Sequence, residues 1–191
     1  MPSLPLAHQL TEVREPDDAQ LVRDARRDRA AFAALYDRYV ARVYRYLYSR
    51  VGDAHSAEDA TAQVFTEALA GLDGYREEGR FAPWLFSIAR RRAADHHRRR
   101  QNAPLEAAAP VATDHDPLTD LVREEELRRL AGLVQGLDED ARELLRLRFA
   151  AGLTYGEMGR LLGRSEDAVK MAMHRLLRRL HRSWESTDGA K

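Results

Sequence analysis

The chain has 191 residues, enough for one domain or two small ones, and its formal net charge of zero does not by itself indicate a partner. It contains no cysteine, which excludes disulfides, thiolate metal sites and cysteine nucleophiles. The N-terminus lacks a basic start and a long apolar core, and no later stretch approaches the roughly 20 apolar residues of a membrane span. We therefore expect a cytoplasmic protein without membrane insertion.

Charge is segregated along the chain. Residues 113–143 contain ten acidic residues and four arginines, whereas residues 170–182 contain five basic residues and no acidic one. This distribution predicts a basic surface used for binding and an acidic surface turned elsewhere.

The first part of the chain is predicted to be a loose tail over 1–15, followed by helices. Helical spacing of apolar residues predicts helices over 17–28, 31–50, 56–70 and 81–100, with a glycine-rich loop over 71–80. In the second helix an apolar stripe that we expect to be core comprises Phe32, Leu35, Tyr36, Tyr39, Val43, Tyr46 and Leu47.

The helix over 81–100 changes character along its length. Its start is apolar, with Pro83 in the first turn and Trp84 on the predicted buried face. Residues 90–100 hold six arginines and one acidic residue, Asp95, a local charge of +5 that suits a polyphosphate partner. The alternative is a solvated helix end whose arginines complement the helix dipole.

Residues 101–117 are rich in alanine and proline, which predicts a flexible linker. Helical spacing resumes over 118–134 and over 138–150, where Ala141, Leu144, Leu145 and Phe149 are expected to face inward. No segment alternates with a period of two. The predicted fold is therefore all-α, with two small helical domains.

A second motif lies over 153–182. Thr154 and Glu157 form a capping box, Gly163 ends the short helix that follows, and Ser165 caps a longer basic helix. A buried stripe is predicted at Val169, Met173, Leu176, Leu177 and Leu180. This pattern is typical of a helix-turn-helix that inserts its second helix in the DNA major groove. An αα-hairpin with a solvated basic face is the alternative.

Together these motifs resemble the extracytoplasmic-function sigma factors, the smallest members of the main bacterial sigma family. Three stretches in this order carry the resemblance: AEDATAQVF, FAPWLFSIARRRAADHHRRR and LTYGEMGRLLGRSEDAVKMAMHRLLRRL. They are similar to the polymerase-binding helix, the promoter-melting helix and the C-terminal helix-turn-helix of that family. The resemblance covers nearly everything from residue 32 to residue 180.

The resemblance implies a transcription initiation subunit that guides core RNA polymerase to promoters. Residues 16–100 would form the region 2 domain, which binds polymerase and opens the minus-ten element, and residues 118–185 the region 4 domain, which reads the minus-thirty-five element. The implied partners are the clamp and flap regions of polymerase, promoter DNA and an anti-sigma factor. No cofactor, metal or catalytic residue is implied, so we expect no enzyme activity.

Three groups of site residues follow from the resemblance. The polymerase-binding group is Asp59, Gln63 and Phe65. The minus-ten group is Arg80, Arg90, Arg91, Arg92, Arg98 and Arg99. The minus-thirty-five group is Ser165, Glu166, Asp167, Lys170, Met171, His174, Arg175 and Arg178.

Two positions depart from the family pattern. Ala62 and Gln63 stand where the family commonly has Gln-Glu, which removes a carboxylate from the polymerase-binding helix. Arg91 stands where an asparagine commonly follows Ile-Ala-Arg, so minus-ten specificity is expected to differ.

Two other classes of function are compatible with parts of this sequence. One is a transcription regulator that uses only the helix-turn-helix. The other is a metal-dependent nuclease using His96 and His97, which the sequence disfavours because adjacent histidines point to different sides of a helix. Asp59 could also be an ordinary surface carboxylate, and the acidic run over 114–126 a solvated face.

Overall fold

In a computed structural model, the described residues 17–76, 81–101 and 117–188 form helices and turns, with no strand among them. Over these ranges eight α-helices follow in chain order: α1 (Asp18–Arg27), α2 (Phe32–Val51), α3 (Ala54–Gly71), α4 (Phe81–Gln101), α5 (Pro117–Gln135), α6 (Glu139–Leu145), α7 (Tyr155–Leu162) and α8 (Glu166–Asp188). The all-α prediction is confirmed. Side chains are described at 17–76, 81–98 and 125–186, and the predicted tail and most of the predicted linker lie outside the described residues.

Short polar residues set where the N-terminal helices begin. Asp17 caps α1 by accepting a hydrogen bond from the Gln20 N–H at 2.7 Å, and Asp53 caps α3 by accepting one from the Ser56 N–H at 2.8 Å. Gly52, with a φ of 83°, ends α2 in the left-handed conformation that glycine adopts without strain. The Asp53 cap explains why α3 begins two residues before the predicted start.

Aromatic rings join the helices of the N-terminal domain. The Phe81 ring at the start of α4 lies 5.4 Å from the Tyr39 ring and 5.8 Å from the Tyr75 ring. Trp84 packs on Tyr75 with ring centroids 4.8 Å apart, so it belongs to the core. The prediction was wrong for Tyr36, which is 42% exposed and whose ring meets the Phe65 ring edge-on.

In the C-terminal domain, α6 runs into a π-helical segment over Arg146–Ala150. Leu147, three residues after the buried Leu144, lies on the inward side and is fully buried, whereas Phe149 is 64% exposed. The prediction that Phe149 faces inward was therefore wrong.

Three further apolar side chains lie on the surface. Leu127 and Leu130 of α5 are 56% and 45% exposed, and Leu177 of α8, which was predicted to be buried, is 40% exposed. The two helices meet elsewhere, where the guanidinium carbon of Arg129 lies 4.1 Å from the centroid of the Trp184 ring. This crossing leaves the three leucines on the outer sides of their helices.

The two groups of helices pack against each other. From the N-terminal group, α2 contacts the π-helical segment and α4 contacts α7, so the buried side chains of both groups form one continuous cluster.

Candidate nucleic-acid interface

Side chains cap the first turn of both helices in the helix-turn-helix. The Thr154 hydroxyl accepts a hydrogen bond from the Glu157 N–H at 3.2 Å, and the Thr154 N–H donates to Glu157 Oε2 at 2.7 Å, which completes the predicted capping box. Ser165 Oγ accepts from the Ala168 N–H at 3.2 Å and caps α8. Gly163, with a φ of 66°, ends α7 as expected.

The turn between α7 and α8 depends on a glycine that sequence reasoning missed. A Cβ added to Gly159 would lie 2.7 Å from the Arg164 carbonyl oxygen and 3.3 Å from the Glu166 nitrogen. The Arg164 N–H donates back to the Gly159 carbonyl at 2.8 Å and closes the turn. The close approach of two backbones therefore requires glycine here. Its signal in the sequence was only a glycine inside a helical pattern.

The face of α8 predicted to read DNA is open to solvent. Val169, Met173 and Leu176 anchor the helix in the core. All eight residues of the predicted minus-thirty-five group are exposed: Ser165, Glu166, Asp167, Lys170, Met171, His174, Arg175 and Arg178. Positions three and four apart on a helix share one side, so most of these residues form a single surface.

Behind this face lies a basic cavity of about 540 Å³ between α6 and α8. Its arginines are Arg164, Arg175, Arg178, Arg179 and Arg182. The sequence assigned DNA contacts to only two of them. Arg179 Nη2 lies 3.6 Å from Asp138 Oδ2, and the cap hydrogen bond from the Ala141 N–H lowers the pKa of Asp138.

The described arginines of the predicted minus-ten group all have carboxylate partners. Arg91 contacts Glu67 of α3, and Arg92 Nη2 lies 2.8 Å from the second oxygen of the same carboxylate. Arg98 pairs with Asp95. Arg90 Nε lies 3.4 Å from Glu143 Oε1 in the C-terminal domain. Arg80 and the Arg99 side chain lie outside the described residues.

The three residues predicted to bind polymerase divide into two environments. Asp59 and Gln63 are exposed on α3 and line a cleft of about 250 Å³ with Arg92, Asp95 and His96 of α4. Phe65 is 4% exposed and packs edge-on against the Phe32 and Tyr36 rings. In this structure Phe65 therefore supports α3 from the core side.

His96 lies beside this cleft, while His97 is exposed. Within the described part of the chain, no three His, Asp or Glu side chains come together as metal ligands. Over the same residues, no helix combines the length and apolar character needed to span a membrane.

Comparison with known proteins matches both halves of the chain to one family. Residues 35–103 match sigma-70 region 2, and residues 127–180 match sigma-70 region 4. The chain is 34% identical over 157 residues to the ECF RNA polymerase sigma factor BldN of Streptomyces coelicolor, a match that covers 80% of this chain and 60% of that relative. It is 33% identical over 171 residues to the ECF RNA polymerase sigma factor SigK of Mycolicibacterium vanbaalenii, covering 86% of this chain and 87% of the relative.

Two solved structures share the fold. One is CnrH in complex with the cytosolic domain of CnrY, with a TM-score of 0.66, 22% identity and coverage of 88% of this chain and 97% of that one. The other is the sigma factor RpoE of Bartonella quintana in complex with the anti-sigma factor NepR, with a TM-score of 0.61, 20% identity and coverage of 81% and 96%. With both sigma-70 regions present in order, and with relatives matched over most of this chain, the protein belongs to the ECF sigma factors, the RNA polymerase subunits of transcription initiation.

Proposed function

We propose that the two domains divide promoter recognition between them. The C-terminal domain reads the minus-thirty-five element as duplex, with α8 in the major groove. The observation that carries this proposal is the exposed face of α8, where Lys170 and Arg175 stand beside Glu166 and His174 above a buried apolar stripe. Cations at these positions neutralise phosphates, and the first turns of the helix meet base edges.

The N-terminal domain opens the minus-ten element. An unstacked base costs a few kcal/mol to hold, so opening requires a pocket and phosphate contacts close together. Arg91 and Arg92 share the Glu67 carboxylate on the surface of α4. A DNA phosphate can replace that carboxylate as their partner without moving the helix. The loop over 71–80, partly outside the described residues, is the proposed place of the base pocket.

Core polymerase binds through its clamp to the outer side of α3, where Asp59 and Gln63 lie, and through its flap to the C-terminal domain. Phe65 contributes by holding α3 in place. Because the related RpoE has been solved with the anti-sigma factor NepR, we infer an anti-sigma partner for this chain as well.

These steps are binding steps in which no bond of the DNA is broken, so the proposed activity is not enzymatic. It takes place where polymerase and promoters are, in the cytoplasm. A regulator that used only the helix-turn-helix would not account for the match to sigma-70 region 2. A nuclease would account for neither the region 2 match nor the region 4 match.

Reconstituted transcription tests the proposal. Core polymerase from the source organism should start RNA synthesis at a specific promoter only when this chain is added. Mapping transcript starts after overexpression would supply that promoter, since the shared upstream sequences define both elements.

Failure to form any complex with the core enzyme would overturn the proposal. Tight duplex binding without polymerase would favour the stand-alone regulator, and metal-dependent DNA cleavage lost on changing His96 and His97 would favour the nuclease.

A further inference from the structure

The two domains meet around one buried carboxylate. Glu143 of α6 is 4% exposed, and its oxygens point into the N-terminal domain. Oε1 accepts a hydrogen bond from the Tyr46 hydroxyl at 2.8 Å, and Oε2 accepts one from Arg50 Nη1 at 2.8 Å. Arg90 Nε lies 3.4 Å from Oε1. Within its own domain Glu143 has a more distant cation, Arg146, at 3.8 Å. A buried carboxylate is costly unless it is paired, so Glu143 is satisfied mainly while the domains are together.

The surroundings of Tyr46 keep its hydroxyl protonated, so that it can donate a hydrogen bond. Tyr46 is fully buried, and its ring meets the Phe86 ring edge-on at 5.6 Å. Burial, with a smaller effect from the Glu143 charge, raises the pKa of Tyr46 well above its ordinary value. The hydroxyl therefore stays protonated and keeps donating to Glu143 at any physiological pH.

A second set of contacts surrounds this carboxylate. Arg42 of α2 donates to the Ala151 carbonyl at 2.7 Å and to the Gly152 carbonyl at 3.1 Å, and Arg45 donates to the Ala150 carbonyl at 3.3 Å. Carbonyls at a helix end lack partners within the helix and attract cations. The junction therefore adds these charged and hydrogen-bonded contacts to the apolar packing that joins the two groups of helices.

The two domains, packed together, lie too close to each other to occupy both promoter elements at once. Elements centred near minus ten and minus thirty-five are about 25 base pairs apart, which is about 85 Å along B-DNA. Two touching domains of about 85 and about 70 residues, with radii of gyration of about 12 and about 11 Å, place their centres about 30 Å apart. The domains must separate before each can occupy its own element.

We propose that Glu143 is the centre of an interdomain latch that keeps the free chain closed. In the closed state it engages Arg90, a residue of the predicted minus-ten group, and fixes the two DNA-reading surfaces too close together to span a promoter. Opening breaks the contacts of Glu143 with Tyr46, Arg50 and Arg90, and releases Arg90 to phosphate. The part played by DNA in this opening rests on the proposed function, whereas the latch in the free chain does not.

Because the sequence contains no cysteine, labels can be attached at two chosen positions and the distance between the two domains can be measured. Cysteines placed at the exposed positions Ala34 in α2 and Ala131 in α5 allow the full chain to be labelled with two dyes or two spin labels. We expect a single short distance in the free chain. Glu143→Gln should raise the ratio of open to closed molecules at least about tenfold, since it removes the negative charge that attracts Arg50 and Arg90 across the junction. Asp140→Asn, which removes one exposed carboxylate from the same helix, should leave the distance unchanged.

Tyr46→Phe is the second variant, because it removes the hydroxyl and keeps the ring against Phe86. It should open the chain less than Glu143→Gln but more than Asp140→Asn, and circular dichroism would verify that each variant is folded. An open free wild-type chain, or folded Glu143→Gln and Tyr46→Phe variants that both stay closed, would overturn the latch.

Adding core polymerase and promoter DNA separates the two proposals. Wild type and Glu143→Gln should then reach the same long distance. If the wild-type chain supports transcription while its distance stays short, the latch is wrong and the proposed function stands. If Glu143→Gln opens the free chain but no core enzyme yields transcription, the proposed function is wrong and the latch stands.

Discussion

Gly159 is the residue on which the geometry of the helix-turn-helix depends. Gly159→Ala should destabilise the C-terminal domain by about 1–3 kcal/mol, because the new methyl group meets a backbone carbonyl that cannot move without opening the turn. Chemical denaturation of the full chain would measure the loss. Binding to duplex promoter DNA should weaken as well, since the angle of α8 changes.

Gly132 provides the matched control. It lies inside α5, and a Cβ there would have no atom within 4 Å. Gly132→Ala should therefore stabilise the chain by about 0.4–1 kcal/mol, through the lower entropy of the unfolded state. If Gly159→Ala also proved neutral or stabilising, the close backbone approach at the turn would be contradicted.

Arg91 shows what a single position adds to the family pattern. An asparagine at this site would leave Glu67 paired with Arg92 alone. With Arg91 present, one carboxylate aligns two guanidinium groups on the surface of α4. The sequence identified Arg91 as unusual, but its partner is 24 residues away on another helix, and no local pattern predicts that pairing.

At the scale of elements, the π-helical segment holds one apolar residue that is buried, Leu147, and one that is exposed, Phe149. Leu147→Ala should cost about 2–5 kcal/mol, because it leaves a cavity in the core. Phe149→Ala should change stability by less than about 0.5 kcal/mol, because the ring is largely in solvent. Denaturation midpoints of the two variants would compare them directly. A larger loss for Phe149→Ala would restore the register first predicted from the sequence.

The prediction for duplex binding concerns α8, the proposed recognition helix. Lys170→Ala combined with Arg175→Ala should weaken binding to the minus-thirty-five element and lower the salt dependence of that binding by about two phosphate contacts. Binding to core polymerase should not change. Anisotropy titrations with labelled duplex at several salt concentrations would give both quantities.

Arg27→Ala, which removes one exposed cation from the last turn of α1, is the control for this double variant and should leave the salt dependence unchanged. Equal loss of DNA binding and core binding in the double variant would count against the division of roles between the domains.

Local chemistry explains why the helices could be predicted from the sequence. The caps at Asp17 and Ser165 and the capping box at Thr154 act within three residues, so their patterns are visible along the chain. The π-helical segment has no side-chain cap of this kind. The prediction for Phe149 therefore failed where tertiary packing, and not helix propensity, decides the register.

Contacts between the two domains could not be predicted from the sequence for the same reason. Glu143 belongs to the acidic stretch over 113–143, which the charge pattern assigned to a surface turned away from the binding surface. In the structure it is buried against Tyr46, whose hydroxyl lies 97 residues away along the chain. An acidic side chain can be a solvated surface group or the centre of an interface. Composition cannot tell the two apart, because the difference lies in what faces the carboxylate.

The length of chain between the domains limits what the molecule can span. Residues 102–116 join α4 to α5, and at about 3.5 Å per residue they reach at most about 55 Å. Deleting residues 105–110 removes about 20 Å of that reach. Transcription from a promoter that requires both elements should fall at least about tenfold, since the gain from linking two binding modules is lost when the linker cannot span their sites. Core binding should persist. Replacing the same six residues with glycine and serine restores the length and should restore transcription, and full activity of the deletion variant would show that the two domains do not occupy both elements at once.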